Sequence, residues 1–345
     1  MGSAKPKVTW KTFLLPALGM AAFFIYLYLF NVDIPTIISK IQRVDLPLYF
    51  LAAAFLVLDT FFFALSWRFL LTFLSVKLSL IRSLLYVWYS AFIDIIIPAE
   101  SISGEISRVY LVTREENGAG GKVVASLVVQ RLMGMGINIA SLVVGASILI
   151  IQLKVSGILL NLIVLLTAII TIFLALLILL CIKEKWTLKV IEAVIKLAEL
   201  LSRGRWKLTK IRGDIIKAAE IFHDSIKEFG NAPKILFMSL FFDFLSWLFN
   251  MGISYLVLLS MNFPAHWSLI VVTSSIMSAV KAIPFGVPFE AGVPEITMST
   301  LLIMLGVSPD ISATATILVR ILTVWLRFFM GFASQQWLEM KAISE

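Results

Sequence analysis

Six stretches of the chain, over about residues 12–30, 47–74, 122–151, 157–182, 234–260 and 311–336, are apolar almost throughout and carry no more than two charged residues each. An α-helix rises about 1.5 Å per residue and needs about 20 apolar residues to cross about 30 Å of hydrocarbon, so these stretches have the length to span a bilayer. Backbone polar groups inside hydrocarbon must be bonded within the element, and continuous apolar runs of this length suit helices, not the short alternating strands of a barrel. Composition agrees: 60% of the 345 residues are hydrophobic, 14% are charged and mean hydropathy is +0.99, which excludes a soluble globular domain. The sequence therefore predicts an all-α polytopic membrane protein, one integral membrane domain over residues 1–345. Lys5, Lys7 and Lys11 precede the first stretch as they would a secretory signal, but no small-residue cleavage site follows "YLYLFN", so a retained helix is expected.

Two further regions, 83–115 and 267–306, hold shorter apolar runs broken by proline, glycine and carboxylates. The first contains "IIIPAESISGEISRVY", which places Glu100, Glu105 and Arg108 where a spanning helix would continue. Charge outside the spans settles their path. With the N-terminus cytoplasmic, twelve Lys or Arg between Lys183 and Lys234 fall inside, together with Lys77, Arg82, Arg108, Arg114 and Lys122, while the outer side receives Lys40, Arg43 and Lys154. That count requires each broken region to enter and leave on one face, as a re-entrant helical hairpin. About 15 helical residues rise only about 22 Å, so such a chain turns near mid-membrane. The second half-helix then begins there, with Pro98, or Pro284 and Pro288, in its first turn and its free N–H groups favouring an anion. The polar block at 184–233 reads as a cytoplasmic amphipathic linker near the inner leaflet, with Leu208, Ile211, Ile215, Phe222, Ile226 and Phe229 on one face.

The chain also repeats itself. "VLDTFFFALSW" and "FFDFLSW" each set an aspartate among aromatics; each is followed by a short run ending in proline, a glycine and glutamate, and a span containing an arginine. The offsets are 184 for Asp59 to Asp243, 186 for Pro98 to Pro284 and 189 for Arg131 to Arg320. The copies, about 47–151 and 234–337, start on opposite faces and so form an inverted-topology repeat, an arrangement that places a transported ligand between the halves.

Charges inside such a bundle require partners. Arg131, Gly134, Asn138, Ser141 and Gly145 share a helix face, as do Thr316, Arg320, Thr323, Arg327 and Ser334, and as do Ser239, Asp243, Ser246 and Asn250. Three such stripes are expected to enclose a hydrophilic cavity with lipid outside, suited to an amphiphile. Arg131, Arg320, Arg108 and Lys281 are the candidates to hold phosphate oxygens, with Asn138 beside them and Glu105 and Glu295 (Glu290 being a rival) to orient them or bind a cationic headgroup. The plainer alternative is that Glu105–Arg131 and Glu295–Arg320 simply brace the repeats. Asp59, Asp94, Asp243 and Asn250 are candidates for proton coupling or for structural contacts between helices, while Arg68 and Arg327, nearer helix ends, are expected to snorkel. His223 and His266 are too isolated for a metal site or triad, "GAGGKVV" lacks phosphate-loop spacing, and the single Cys181 forms no intrachain disulfide, so no cofactor, metal or nucleic-acid partner is implied. A membrane transferase with Asp94, Glu100 or Glu105 as base stays open.

At "PAESISGEISRVYLV", "VVQRLMGMG", "IPFGVPFEAGVPE" and "ILVRILTVWLRFFMG" the chain resembles the flippase-like membrane domain of lysylphosphatidylglycerol synthases, in the usual order from about residue 10 to 338. The family's Pro-Gly-Gly-x-Gly-x-x-Glu turn is "PFGVPFEAGVPE" here, with Gly292 and Glu295 matched to its end, and the glutamate often preceding the motif arginine is Gln130. The resemblance implies a stand-alone lipid flippase or scramblase of the cell membrane, non-enzymatic, whose partners are membrane lipids with charged headgroups. A lipid-phosphate transferase, a homo-oligomer, or a membrane partner of a lipid-modifying enzyme are the competing expectations.

Overall fold

The computed structural model describes residues 34–97, 102–153, 157–201, 209–281 and 292–344, with positions 21, 25 and 28. The expected span at 12–30 lies outside this set apart from those three positions. Elsewhere the described residues are helical: α1 (Ile34–Ile41), α2 (Leu46–Phe73), α3 (Leu80–Ile96), α4 (Ile102–Glu115), α5 (Gly120–Leu153), α6 (Gly157–Ile182), α7 (Glu184–Leu201), α8 (Thr209–Gly230), α9 (Pro233–Ser260), α10 (Trp267–Lys281), α11 (Val293–Met304), α12 (Pro309–Arg320) and α13 (Arg327–Ser344). A π-helical stretch, Ile321–Leu326, joins α12 to α13. Among the described residues five helices are long and apolar enough to cross a membrane: α2, α5, α6, α9 and the continuous α12–α13 rod. They coincide with five of the six stretches read from hydropathy.

Four shorter helices come in two pairs. α3 and α4 have 17 and 14 residues, α10 and α11 have 15 and 12, and each pair packs as a hairpin. At about 1.5 Å per residue none exceeds about 26 Å, short of the hydrocarbon thickness. Local chemistry sets the ends. Asp45 caps α2 by accepting the Leu48 N–H at 3.1 Å, Ser79 caps α3 through the Arg82 N–H at 3.2 Å, and Pro47 and Pro233 sit in the first turns of the two matching long helices.

The repeat is visible as structure. α2 and α9 form the most extensive helix pair and run antiparallel: Ser66 meets Ser239, Asp59 meets Ser246, and Phe55 packs on Phe249. Two equivalent helices packed antiparallel are related by a twofold axis across them, which is what an inverted repeat requires. The exchange continues outward. The first hairpin's α3 lies on α13 of the second half, and α10 of the second lies on α5 of the first. A glycine permits each crossing: a Cβ on Gly331 would meet the Trp88 carbonyl at 2.5 Å, and one on Gly145 would meet Val271 at 2.9 Å. Those glycines stand 186 residues apart, within the offsets of the repeat.

The 184–233 linker packs through its second helix, α8. Phe222 and Phe229 are buried with Leu70, Leu74, Ala125 and Val129, so the apolar face of α8 packs on the helical bundle. α6, by contrast, buries little and presents Ile169, Ile172, Phe173 and Leu176 outward as a lipid-facing helix.

Candidate functional site

The first half-site forms where α4 meets α2 and α5. Glu105 and Arg108 are three residues apart on α4 and so share a face. Glu105 faces Arg131 of α5, its Oε2 lying 3.5 Å from Nη1, with side-chain exposures of 24% and 35%. Arg108 is buried at 6% exposure, its guanidinium 5.1 Å above the Trp67 ring and 5.5 Å above that of Phe63. Its Nε and Nη1 have no hydrogen-bond partner. Trp67 is fixed beneath it by an indole N–H donated to Ser126 at 3.0 Å.

The second half-site is closed. Arg320 Nε donates to Glu295 Oε1 at 2.7 Å, while Glu295 Oε2 accepts the Gly292 N–H at 2.8 Å as the reciprocal part of a helix cap. Both side chains are nearly buried, at 9% and 14%. Gly292 has φ +96°, a conformation that suits glycine, and the turn it makes swings Glu295 back to its own helix start. Glu295 is thus paired with Arg320; its rival for the motif position, Glu290, lies outside the described residues, as does the Lys281 side chain.

Two expectations about helix ends need correction. At the N-terminus of α4 an internal carboxylate stands where an external anion was expected: Asp94 of α3 accepts both the Gly104 N–H at 2.7 Å and the Ser103 hydroxyl at 2.6 Å. A Cβ on Gly104 would stand 2.2 Å from that carboxylate. In α11 the first-turn donor at Gly292 is met by Glu295, and the proline of the first turn is Pro294, not Pro284 or Pro288, which with Pro98 lie outside the described residues.

A third correction concerns Arg327. It does not snorkel: Nη2 donates to Asp59 Oδ2 at 2.7 Å, and Asp59 also accepts from Ser246 at 2.6 Å and Asn250 at 3.0 Å. The reason is local. Arg320 and Arg327 are seven apart and would share a face of an α-helix, but a π turn closes on i+5 and takes in about one extra residue, rotating the helix beyond it by roughly 100°. One arginine is thereby delivered to α11 and the other to α2. Arg68, as expected near its helix end, donates Nε to the Leu78 carbonyl at 3.0 Å.

The polar stripes are largely spent on contacts between helices. Gln130 Nε2 donates to Asp243 Oδ1 at 3.1 Å and to the Phe63 carbonyl at 2.9 Å, Ser141 bonds Ser275 at 2.9 Å, Asn138 reaches the Ser275 carbonyl at 3.5 Å, and Ser299 donates to Thr316 at 3.0 Å. Asp59 and Asn250 are therefore structural partners. Gln130, which sequence reasoning treats only as a departure from a family pattern, is the donor for Asp243, whose Oδ2 is buried and has no hydrogen-bond partner. Below the first half-site, at the end of the α3–α4 hairpin, a cavity of about 570 Å³ opens between α3, α4 and α13, bordered by Tyr89, Tyr110, Arg114 and Glu339. Glu115 closes the hairpin there by accepting from Arg82 at 2.7 Å and from the Tyr86 hydroxyl.

Fold and site together define a multi-pass α-helical membrane protein of two opposed halves, each joining a glutamate on a half-length helix to an arginine on a full span. The chain belongs to the family described as the lysylphosphatidylglycerol synthase TM region, whose sequence profile matches residues 14–331. It is also similar to a UPF0104 membrane protein of Pyrococcus horikoshii, with 21% identity over 335 residues, covering 93% of this chain and 95% of that protein.

Proposed function

We propose that the protein moves a lipid with a charged headgroup between leaflets of the cell membrane, as a flippase or scramblase, with both termini cytoplasmic and without altering the headgroup chemically. The observation that carries this reading is the mirrored placement of Glu105–Arg131 and Glu295–Arg320 on half-length helices of opposed repeats. Charged groups at that depth are stabilised by partners or by a polar ligand, and opposed repeats provide the two faces from which a ligand can be reached in turn. Family membership supports a lipid-related role, and the twelve basic residues from Lys183 to Lys234 support the orientation.

Reconstitution into vesicles holding headgroup-labelled phospholipid, quenched from outside by an impermeant reductant, tests the reading. Quenching beyond the outer-leaflet share, at a rate well above that of protein-free vesicles, is expected. Equal rates with and without protein, or chemical modification of the headgroup when an activated donor is added, would replace transport with another activity.

A further inference from the structure

Among the described residues Arg108 is the least explained charge. A guanidinium removed from water needs hydrogen bonds as well as countercharge, yet Nε and Nη1 donate to nothing. The faces of Phe63 and Trp67 supply a cation–π contribution but accept no N–H in its plane. No neighbouring acid bonds these nitrogens: Asp94 caps α4, Glu105 faces Arg131, and Asp243 accepts from Gln130 through Oδ1 while its buried Oδ2 has no hydrogen-bond partner. Replacing Arg108 by an apolar side chain would remove two buried donors that nothing accepts, so hydrogen bonding within the fold does not account for it.

We propose that Arg108 and Arg131 together form a phosphate-oxyanion site, shown here in an occluded state in which Glu105 stands in for the ligand against Arg131. The proposal rests on the transport reading above and assigns the charged contact to the first repeat. Two guanidinium groups match a phosphate better than one carboxylate does, because each presents several donors to an oxygen-rich tetrahedral anion. The Glu105–Arg131 contact is long and partly exposed, a weak latch that an entering anion replaces. Since the unpartnered nitrogens are enclosed, entry requires the short α3–α4 hairpin to shift against α5. The second repeat has no counterpart: the positions 186 to 190 residues beyond Arg108, Pro294 to Met298, hold no basic residue.

The test is thermal unfolding of the full chain in detergent, with water-soluble dihexanoyl phosphatidylglycerol in one arm and inorganic phosphate in the other. Wild type is expected to gain stability in the first arm; a matching gain in the second would show that free phosphate suffices, and its absence that the headgroup ester is read. Arg108→Met is expected to raise the ligand-free midpoint by about 2 to 4 °C and lose the ligand effect, with apparent affinity down at least about tenfold. Arg108→Lys keeps part of that effect, and Glu105→Gln strengthens it by removing the internal competitor. No gain in either arm, or a lowered ligand-free midpoint in Arg108→Met with the ligand effect intact, overturns the site. Lipid movement that survives Arg108→Met removes the site and spares the transport reading; phosphate binding through Arg108 without lipid movement does the reverse.

Discussion

The two glutamate–arginine pairs occupy equivalent places in the repeat and are built to different standards. Glu295 and Arg320 meet at 2.7 Å in a nearly dry setting, with the second carboxylate oxygen held by Gly292. Glu105 and Arg131 stand 3.5 Å apart, partly exposed, with a second arginine parked alongside on two aromatic rings. One repeat thus carries a fastening and the other carries unmet binding capacity. In an inverted-repeat protein the halves are not obliged to do equal work: the tighter pair holds α11 against α12 while the looser one ties α4 only weakly to α5.

That division sets a scale of effects. Arg320→Met should be the most damaging single change, leaving the Glu295 carboxylate buried without its cation, at a cost of about 3 to 5 kcal/mol. A fall in the thermal midpoint, largely restored in the Glu295→Gln/Arg320→Met double variant, would confirm it; a loss below about 1 kcal/mol would place this pair with its looser counterpart. Arg327→Met should cost about 2 to 3 kcal/mol, since Asp59 keeps Ser246 and Asn250 and loses one charge-assisted bond. Gln130→Leu removes the donor to Asp243 and should cost about 1 to 3 kcal/mol by the same measurement. Smallest in stability is Arg131→Gln, below about 1 kcal/mol, yet it should slow lipid transfer in vesicles at least about tenfold. If that variant transferred lipid at the wild-type rate, the first half-site would have no claim to the ligand.

The helices are legible in the sequence because a bilayer demands a length and a polarity that hydropathy reports directly. The span expected at 47–74 is Leu46–Phe73, and that expected at 234–260 is Pro233–Ser260. Both glutamate–arginine pairs are within reach for the same reason, since the repeat aligns them. Arg327 is misplaced by its spacing because spacing assumes one helical period, and the π stretch between it and Arg320 changes the phase without leaving a mark in the apolar pattern. The position of Arg108 over Phe63 and Trp67 depends on how a half-length helix docks, and no local sequence signal encodes docking. Gln130 stands out in the sequence only for what it replaces, while its actual role comes from Asp243, 113 residues away.

The π stretch has a further consequence for how this chain tolerates change. A single-residue deletion within Ile321–Leu326 would let the rod relax into a smooth α-helix while keeping the phase of everything beyond it, so Arg327 would still face Asp59 and Gly331 would stay in the notch beside Trp88. In the regular α-helical parts of the rod the same deletion would turn all that follows by about 100°. Those six residues are therefore the place where the rod can lose one residue without mistiming its last third against both halves.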